Sequence, residues 1–589
     1  MISYQFTKKY VFPHWPWYLI GFLTLGITTL ITLEIPQIAK TIVNALSSEN
    51  FKHEEYVNLT YLIIGLGLLQ IIIRTLSRIT IFWPGRKLEA FLRTDLFKKL
   101  LTLPQSFYDQ QGVGDLNSRI SNDTGHIRVF YAFGILQLAN LVFLSIFIVS
   151  KMLSVNVSLT LVCLVPLLIL IAMTKLLMPK MHEYSKILQD QIGTMTNRVT
   201  EAFVNIHTIH ANSAYNSFYQ KLAAINSDVY SSNIKLVRIR TILFPLIPSF
   251  ASVSQVIVLY YGGLLVIKNL LTVGDILAFN FYIGLLSFPL MSIGIILSVY
   301  QRTKVAIARI DLIEKAPQEA NYAQNNELLG AKHIANKTTC GSLHIQNLSF
   351  AYPAQPSHLV LQDIKFSLAP GERLGIFGPI GSGKTTLFNL CSLIYLPPKN
   401  TLYYNDQDLT LLNPDLLRKD VVHVQQKPHL FSDSIMNNLC FGISPRPTIE
   451  EARQACQKAD ILRDIEQLPL QWDTEVGEQG FKLSGGQKQR LALARAFMRH
   501  PKILMLDDVL SAVDHQTEAT ILKSIYQTGC SLMISSHRSS VLAACDRVLI
   551  LEQGKIIQSG SFYQLREFFE ALEAKNLSSH LESEIGSAT

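Results

Sequence analysis

Residues 378–385 read Gly-Pro-Ile-Gly-Ser-Gly-Lys-Thr, and they directly follow the apolar run Leu-Gly-Ile-Phe at 374–377. The pattern G-x-x-x-x-G-K-[ST] between a strand and a helix is the phosphate-binding P-loop. Its glycines let backbone N–H groups surround a phosphate, and the following helix directs the positive end of its dipole at the same point. The stretch therefore predicts an α/β domain that binds a nucleotide, with Lys384 at the β- and γ-phosphates and Thr385 on Mg²⁺.

A second stretch, Ile-Leu-Met-Leu-Asp-Asp at 503–508, predicts a buried strand that ends in an acid for the magnesium ion. Around it, short β-like runs alternate with helical patterns, which is the order of elements in an α/β domain. The second half of the chain is therefore predicted to be one P-loop-type domain. Its predicted strands are 343–350, 373–377, 421–424, 503–507, 531–535 and 547–552.

The first half of the chain has a different composition. With 589 residues the chain is too long for one compact domain. Apolar residues make up 49% of it and charged residues only 16%, against about 25% charged in an average soluble protein. Because a helix crosses a bilayer in about 20 residues, the long apolar runs of this half predict a six-helix all-α transmembrane domain. Its spans are 17–46, 56–84, 129–153, 156–178, 241–267 and 275–301.

The distribution of cations predicts which ends of the spans face the cytoplasm. The short connections 47–55, 154–156 and 268–274 contain two Lys or Arg residues in all, Lys52 and Lys268. The long connections 86–128 and 179–240 are rich in Lys and Arg, and cations concentrate on the cytoplasmic side of membrane proteins. We therefore expect both termini and the nucleotide-binding domain on the cytoplasmic side of the inner cell membrane.

The charge and cysteine patterns disfavour two other classes of protein. The net charge of +8 comes largely from residues beside the apolar runs, not from one basic stripe, so we expect no nucleic-acid partner. Seven cysteines occur without CxxC or Cys/His spacing, so we expect reduced thiols and no zinc site. The expected organisation is a transmembrane domain over 1–317, a linker over 318–340, a nucleotide-binding domain over 341–573 and a flexible tail over 574–589.

Leu-Ser-Gly-Gly-Gln at 483–487 precedes a basic helical run, 488–495, and lies between the P-loop and the strand 503–507. On these motifs the chain resembles the ABC transporters, and six spans followed by such a domain resemble an exporter-type half-transporter. A weaker resemblance also indicates an exporter. The segment 107–116, which is followed by Arg119 and Asp123, is similar to the one that precedes the first coupling helix of exporters. The resemblance covers nearly the whole chain and implies a multidomain membrane protein with an α/β P-loop ABC nucleotide-binding domain.

The resemblance assigns roles residue by residue. It implies that Thr385, Gln426 and Asp507 hold Mg²⁺, with Gln426 preferred to Gln425 by its spacing from 430–431. It implies that Asp508, His537 and Gln426 act in hydrolysis. Tyr352 resembles the aromatic that stacks on adenine, although a core tyrosine at a strand edge is the alternative. The residues expected to hold ATP are Tyr352, Gly378, Pro379, Ile380, Gly381, Ser382, Gly383, Lys384, Thr385, Thr386, Ser484, Gly485, Gly486 and Gln487.

In this family the signature 483–487 of one subunit completes the ATP site of another, so the resemblance implies a dimer. Asp508 stands where such ATPases usually carry glutamate, and its carboxylate is shorter by about 1.5 Å; a misplacement of about 1 Å can cost a hundredfold in rate. The segment 506–514 resembles the bacterial multidrug half-transporters of the MdlA-like group. We therefore expect a heterodimer with a slow ATP site, the alternative being a homodimer that uses Asp508.

The expected function is ATP-driven export of hydrophobic or amphipathic compounds, with membrane lipids as neighbours. The alternative is a homodimeric floppase of the lipid A flippase-like kind, which moves lipid A or a phospholipid between leaflets. A soluble ABC ATPase that acts on DNA or ribosomes shares the signature, but six spans argue against it.

Ionisable residues inside the spans are candidates for substrate contact. Glu34 either attracts cations in a central cavity or is paired near the outer membrane face. Arg74 and Arg78 share one helix face, where they either hold a phosphate or extend to the headgroups. The aromatic residues of the sixth span either line a drug cavity or pack between helices: Phe279, Phe281, Tyr282 and Phe288.

Overall fold

The structure, a computed structural model, describes residues 6–46, 53–318, 341–477 and 483–569. The predicted tail 574–589 and, apart from Gln318, the predicted linker 318–340 lie outside these residues, as does the side chain of Phe288. The chain forms two compact units. The membrane unit comprises Met1–Lys98 and Leu116–Lys315, and the nucleotide unit comprises Lys99–Asp115 and Ala316–Thr589.

The membrane half is all helical, as predicted. Within the described residues, five helical stretches are long and apolar enough to cross a membrane, and a shorter apolar stretch, Val273–Leu286, begins the helix that contains the sixth predicted span. The α-helices up to residue 315 are α1 Trp15–Leu46, α2 His53–Leu101, α3 Gln105–Gln110, α4 Val113–Ser118, α5 Thr124–Val129, α6 Ile135–Val155, α7 Val157–Val204, α8 Ile206–Ala211, α9 Tyr215–Ile267 and α10 Val273–Lys315, with further helical turns at Thr7–Val11, Phe12–His14, Arg119–Asp123 and Phe130–Gly134.

Short polar side chains set the tight turns between membrane helices. Asn156 is the only residue between α6 and α7; its backbone is extended, and its side chain accepts a hydrogen bond from the Leu159 N–H at 2.9 Å. This is the N-cap arrangement that satisfies a free donor in the first turn of a helix. In the first turn of α10, the Asp275 carboxylate accepts from the backbone N–H of Thr272 at 2.9 Å and pairs with Lys40 at 2.6 Å.

An ion pair joins the turn Arg119–Asp123 to α10. The Arg309 guanidinium lies 2.9 Å from the carboxylate of Asp123, which is only 5% exposed. Arg119 in turn donates to the backbone carbonyl of Arg309 at 3.2 Å. Residues from two distant parts of the chain therefore hold each other in place.

The nucleotide unit contains two sheets. The strands are β1 Leu343–Ala351, β2 Leu359–Leu368, β3 Arg373–Phe377, β4 Leu402–Tyr404, β5 Gln407–Asp408, β6 Val421–Val424, β7 Ile503–Asp507, β8 Ser531–Ser535, β9 Arg547–Glu552 and β10 Lys555–Gly560. One sheet has the order β2-β1-β4-β5, and the other has the order β10-β9-β3-β8-β7-β6. The remaining α-helices are α11 Lys384–Cys391, α12 Pro414–Asp420, α13 Ile435–Leu439, α14 Ile449–Lys458, α15 Leu462–Glu466, α16 Gly485–Phe497, α17 His515–Thr528 and α18 Ser539–Ala543.

The six strands expected from the sequence are all present, and four further strands join them. Among the additional strands, β4 and β5 have three and two residues, which is too short for a periodic pattern. The strand β10 has no buried residue, so apolar alternation does not mark it. The strand β2 is different, since it has ten residues with alternate buried positions and was missed although its pattern is that of a strand. The α/β fold class of this half is as predicted, and three of the four missed strands are short or exposed.

The parallel strands determine where a site can form. Within the larger sheet, β3, β8, β7 and β6 are consecutive neighbours and all parallel. Every residue of β7 is buried, as expected for a parallel strand covered on both faces. In open α/β sheets, ligands bind beyond the carboxyl ends of such strands.

The ion pair of Asp123 provides a test of the fold. Asp123→Asn removes the charge that faces Arg309, and we expect a loss of about 2 kcal/mol in unfolding free energy, as for a hydrogen bond to a charged group. Thermal unfolding of the purified full chain measures it. Asp311→Asn is the control, because Asp311 pairs with Lys315 on the exposed surface of α10. Equal shifts for the two variants would contradict the structural role of Asp123.

Candidate nucleotide site

The carboxyl ends of four neighbouring strands bring the predicted site residues to one edge of the sheet. The P-loop follows β3, Asp507 ends β7, and Ser535 ends β8. Gln426 follows β6 by two residues. Residues far apart in sequence thus converge because the strands are parallel and adjacent.

Two positions of the P-loop favour glycine, one for its backbone conformation and one for lack of space. Gly383 has φ 105°, in the region that side chains avoid. A Cβ on Gly378 would lie 2.1 Å from the carbonyl oxygen of Leu551, so no side chain fits there. Helix α11 begins directly after this loop, at Lys384. The loop and the helix start therefore form the cradle that the sequence predicts.

Polar groups of the loop fit a phosphate. The Lys384 amine donates to the carbonyls of Gly378 and Pro379 at 2.5 and 3.0 Å. Burial lowers its pKa, while the charges of Asp507 and Asp508 act in the opposite direction. The hydroxyl of Ser382 is buried and has no hydrogen-bond partner among the described residues. A cation and a spare hydroxyl inside a loop of backbone donors match the chemistry of a bound phosphate.

Asp507 and Thr385 form the group of oxygens that fits Mg²⁺. The Thr385 hydroxyl donates to one carboxylate oxygen of Asp507 at 2.7 Å. The Ser535 hydroxyl donates to the other at 2.7 Å, and Asp507 is 3% exposed. A hydroxyl and a carboxylate beside a phosphate cradle are the ligand type that Mg²⁺ takes in nucleotide sites.

Asp508 is held by its backbone as well as its side chain. It has φ 49°, a left-handed conformation in which aspartate is several-fold enriched among residues other than glycine. Its N–H donates to the Ser535 hydroxyl at 3.0 Å, and its carboxylate accepts from the Gln426 amide at 3.2 Å. The hydroxyl of Ser535 therefore orients both adjacent acids.

His537 lies at the same edge of the sheet, two residues beyond β8. Its side chain is exposed, and its ring centre is 6.0 Å from that of Phe377, the last residue of β3. Because Gly378 directly follows Phe377, His537 lies beside the start of the P-loop. The structure thus brings together all three predicted catalytic side chains at this edge.

Tyr352 belongs to an aromatic cluster next to α11. Its hydroxyl is 2.8 Å from the Thr386 hydroxyl, and its ring lies edge-on to Tyr395 at 5.0 Å. The Tyr395 hydroxyl donates to the Asp109 carboxylate at 2.6 Å. Burial and this carboxylate raise the pKa of Tyr395, so the phenol stays protonated and remains a donor at neutral pH. This contact belongs to the nucleotide unit because Lys99–Asp115 clusters with it.

The signature residues form a helix start of their own. The Ser484 hydroxyl accepts from the Gln487 N–H at 3.3 Å, and the Gln487 side chain accepts from the Ser484 N–H at 3.0 Å, which is a capping box. The Gln487 amide also donates to Asp464 at 2.8 Å. In the described part of the chain, Ser484 and Gln487 hydrogen-bond with one another and with α15, not with the P-loop.

Three contributors were not identified from the sequence. Ser535 had a partial signal, since it ends the predicted strand 531–535, but only the structure shows that this strand lies beside Asp507 in register. Asp109 lies in the segment 107–116 that the sequence singled out, but its contact with Tyr395 had no signal, because the two residues are 286 positions apart and only the fold brings them together.

Comparisons with known proteins agree with this geometry. Residues 18–290 match the family model described as the ABC transporter transmembrane region, and 361–511 match the one described as ABC transporter. The multidrug resistance-like ATP-binding protein MdlA of Escherichia coli (strain K12) is 30% identical over 565 residues, 95% of this chain and 93% of the relative. The protein of the same name from Buchnera aphidicola subsp. Schizaphis graminum is 32% identical over 564 residues, 95% of each chain.

A solved structure shows the same fold. The structure of a bacterial Atm1-family ABC exporter with ATP bound superposes with a TM-score of 0.79 at 24% identity, and the match covers 97% of this chain and 99% of that one.

Ser535 provides a test of the site. Ser535→Ala leaves Asp507 and the N–H of Asp508 without this hydroxyl, so we expect a loss of about 1–2 kcal/mol in stability and slower ATP hydrolysis. Thermal unfolding and phosphate release measure the two effects. Ser524→Ala is the control, because among the described residues that hydroxyl bonds only the Thr520 carbonyl of its own helix. Wild-type hydrolysis by Ser535→Ala would show that the hydroxyl does not position the acids.

Proposed function

The chain belongs to the ABC exporters that fuse a membrane domain to an ATP-binding domain, and from this premise we propose that it exports hydrophobic or amphipathic compounds as one half of a heterodimer. ATP-driven export follows from the family. The finer assignment is supported mainly by Asp508, which lies in the nucleotide site within reach of Gln426. The nucleotide-binding domain and both termini would face the cytoplasm, by the positive-inside rule.

We propose these roles at the ATP site. Residues 378–386 would enclose the phosphates, and Tyr352 would stack on the adenine. Thr385, Asp507 and Gln426 would hold Mg²⁺, which when bound neutralises charge on the phosphate oxygens. Ser535 keeps the carboxylate of Asp507 oriented toward Thr385. Asp508, with Gln426 and His537, would position the water that attacks.

A second chain is part of this proposal. Ser484 and Gly485 are exposed, at the start of a 13-residue helix whose first N–H groups and dipole favour an anion. We propose that Ser484, Gly485, Gly486 and Gln487 contact phosphate bound at the P-loop of a partner half-transporter. A complete ATP site then requires two chains.

The shorter acid supports a slow site in this chain. A general base acts within about 3 Å of the proton it accepts. The left-handed backbone of Asp508 and its bond to Gln426 fix where the carboxylate starts, and aspartate extends one methylene less than glutamate. The sequence retains the other expected site residues, namely Gln426, His537 and the signature 483–487, so Asp508 is an isolated departure from the family pattern. A heterodimer whose other site hydrolyses faster accounts for this combination.

Lipid translocation by a homodimer is the second candidate function. Arg74 and Arg78, which lie in the second predicted span and have no described acidic partner, favour it, because lipid headgroups carry phosphate. ATPase activity of the purified chain in lipid nanodiscs, measured with a panel of drugs and a panel of purified lipids, separates the two. Stimulation by lipids alone would overturn the multidrug proposal.

The contact between Tyr395 and Asp109 supports a route for coupling. Asp109 lies on α3, in the segment that resembles the one preceding the first coupling helix, and Tyr395 packs against the adenine-stacking candidate Tyr352. We propose that these contacts transmit the conformational changes of nucleotide binding and hydrolysis to the membrane helices.

A conservative substitution tests the coupling route. Tyr395→Phe keeps the ring against Tyr352 but removes the hydroxyl that binds Asp109, so we expect ATP binding to persist and stimulation of ATPase by transported compounds to fall. The ratio of stimulated to basal turnover measures it. Tyr403→Phe is the control, since the structure gives the Tyr403 hydroxyl no hydrogen bond to any described residue. Unchanged stimulation would contradict the route.

Restoring the longer acid tests the slow site. We expect the purified chain alone to hydrolyse ATP slowly and Asp508→Glu to raise the rate about tenfold or more, since about 1 Å of misplacement can cost a hundredfold. Steady-state phosphate release measures both. Asp508→Asn is the control, because asparagine keeps the size of the side chain but removes the carboxylate, and so shows whether hydrolysis requires an acid at this position. Fast turnover by a verified homodimer of the unaltered chain would contradict the proposal.

A further inference from the structure

A polar cavity of about 250 Å³ lies among four helices of the membrane unit, α1, α2, α6 and α10. Its lining includes four leucines, Leu25, Leu136, Leu144 and Leu285. Its main polar groups are Thr28, Thr32, Gln70, Arg74, Arg78 and Asn140. A lining that contains both kinds of group fits a molecule with a polar head and an apolar tail.

The charge of the cavity is positive. Arg74 and Arg78 lie four residues apart on α2, and both line the cavity. Among the described residues that line it there is no Asp or Glu. Repulsion between like charges four residues apart on a helix, and the cost of charge inside a bilayer, both oppose this arrangement. A bound anion would offset both.

Two cations of other membrane helices, Lys151 and Lys40, are each paired with an acid. Lys151 lies 3.3 Å from Glu34, and Lys40 lies 2.6 Å from Asp275. In contrast, neither the Arg74 nor the Arg78 guanidinium makes a hydrogen bond or ion pair with any described residue. Glu34 is therefore engaged by its own cation, and it does not line the cavity that the two arginines share.

The remaining polar groups of the cavity are also satisfied within the protein. The Gln70 amide donates to the Thr32 hydroxyl at 2.9 Å. The hydroxyls of Thr28 and Thr32 donate to helix carbonyls one turn earlier, at 2.8 and 2.7 Å. The two guanidinium groups thus retain their donors, and a guanidinium binds the paired oxygens of a phosphate or carboxylate through two parallel hydrogen bonds.

We propose that this cavity binds the anionic oxygen head group of an amphipathic substrate through Arg74 and Arg78, with its apolar tail against the leucines of the lining. The inference rests on the export function proposed above and narrows its substrate class to anionic amphiphiles. The head group belongs either to a membrane lipid or to a free amphiphile, since both present the same anionic oxygens.

Binding without ATP tests the inference separately from export. The full chain is placed in phosphatidylcholine nanodiscs, and binding of dodecyl phosphate and dodecyltrimethylammonium is measured by calorimetry against empty nanodiscs. The two probes share a chain length and differ in head-group charge. We expect dodecyl phosphate to bind at least about tenfold more tightly, one lost charge-assisted contact being worth roughly a factor of ten.

Variants assign the binding to the two arginines. The double variant R74Q/R78Q should weaken dodecyl phosphate at least about tenfold and change dodecyltrimethylammonium little, and R74K/R78K should recover part of the loss. Arg86→Gln is the matched control, because Arg86 is an exposed cation of the same helix that does not line the cavity. ATP binding at the P-loop confirms that each variant is folded.

The outcomes separate the sources and the two proposals. Competition by phosphatidylglycerol that depends on the arginines identifies a lipid head group, and its absence identifies a free amphiphile; both support the inference. Equal binding of dodecyl phosphate by the double variant, or equal affinity for the two probes, overturns it. Arginine-dependent binding without stimulated ATPase or transport leaves the anion site in place and rejects export of that ligand.

Discussion

The hydroxyl of Ser535 is the contact on which the nucleotide site depends. It donates to Asp507 and accepts from the N–H of Asp508, so one buried side chain orients two acids with different proposed roles. Asp507 in turn accepts from Thr385 at the start of α11. Strands β7 and β8 and the P-loop helix are thereby joined at one carboxylate, and a change in any of them would displace the others.

Asp508 carries information that a motif comparison alone does not contain. The backbone of Asp508, the shorter acid, is left-handed with a φ of 49°, and aspartate adopts this conformation more readily than most residues. The carboxylate of Asp508 has the amide of Gln426 as its hydrogen-bond partner. The proposal of a slow ATP site rests on the length of this side chain.

Several ion pairs join segments of the membrane unit, whereas Arg74 and Arg78 have no ion pair with a described residue. The pairs Lys151–Glu34, Lys40–Asp275 and Arg309–Asp123 hold turns and helix ends together. Phe279 and Tyr282 are fully buried between helices, so these two aromatic residues pack the bundle, whereas Phe281 is exposed. The polar groups of the cavity come from α1, α2 and α6, and the candidate substrate contacts are Arg74 and Arg78.

Local patterns in the sequence were enough for the fold class, for the strands that carry the site and for the P-loop, acid and signature motifs. Each of these depends on neighbouring residues: apolar runs bury a strand, and glycines permit a phosphate loop. The short and exposed strands β4, β5 and β10 have no such pattern. The hydroxyl of Ser535 on two acids, the bond from Tyr395 to Asp109 and the cavity around Arg74 and Arg78 were decided only by the tertiary structure. They join residues distant in sequence, and strand order and helix packing, which local composition does not specify, bring them within hydrogen-bond distance or around one cavity.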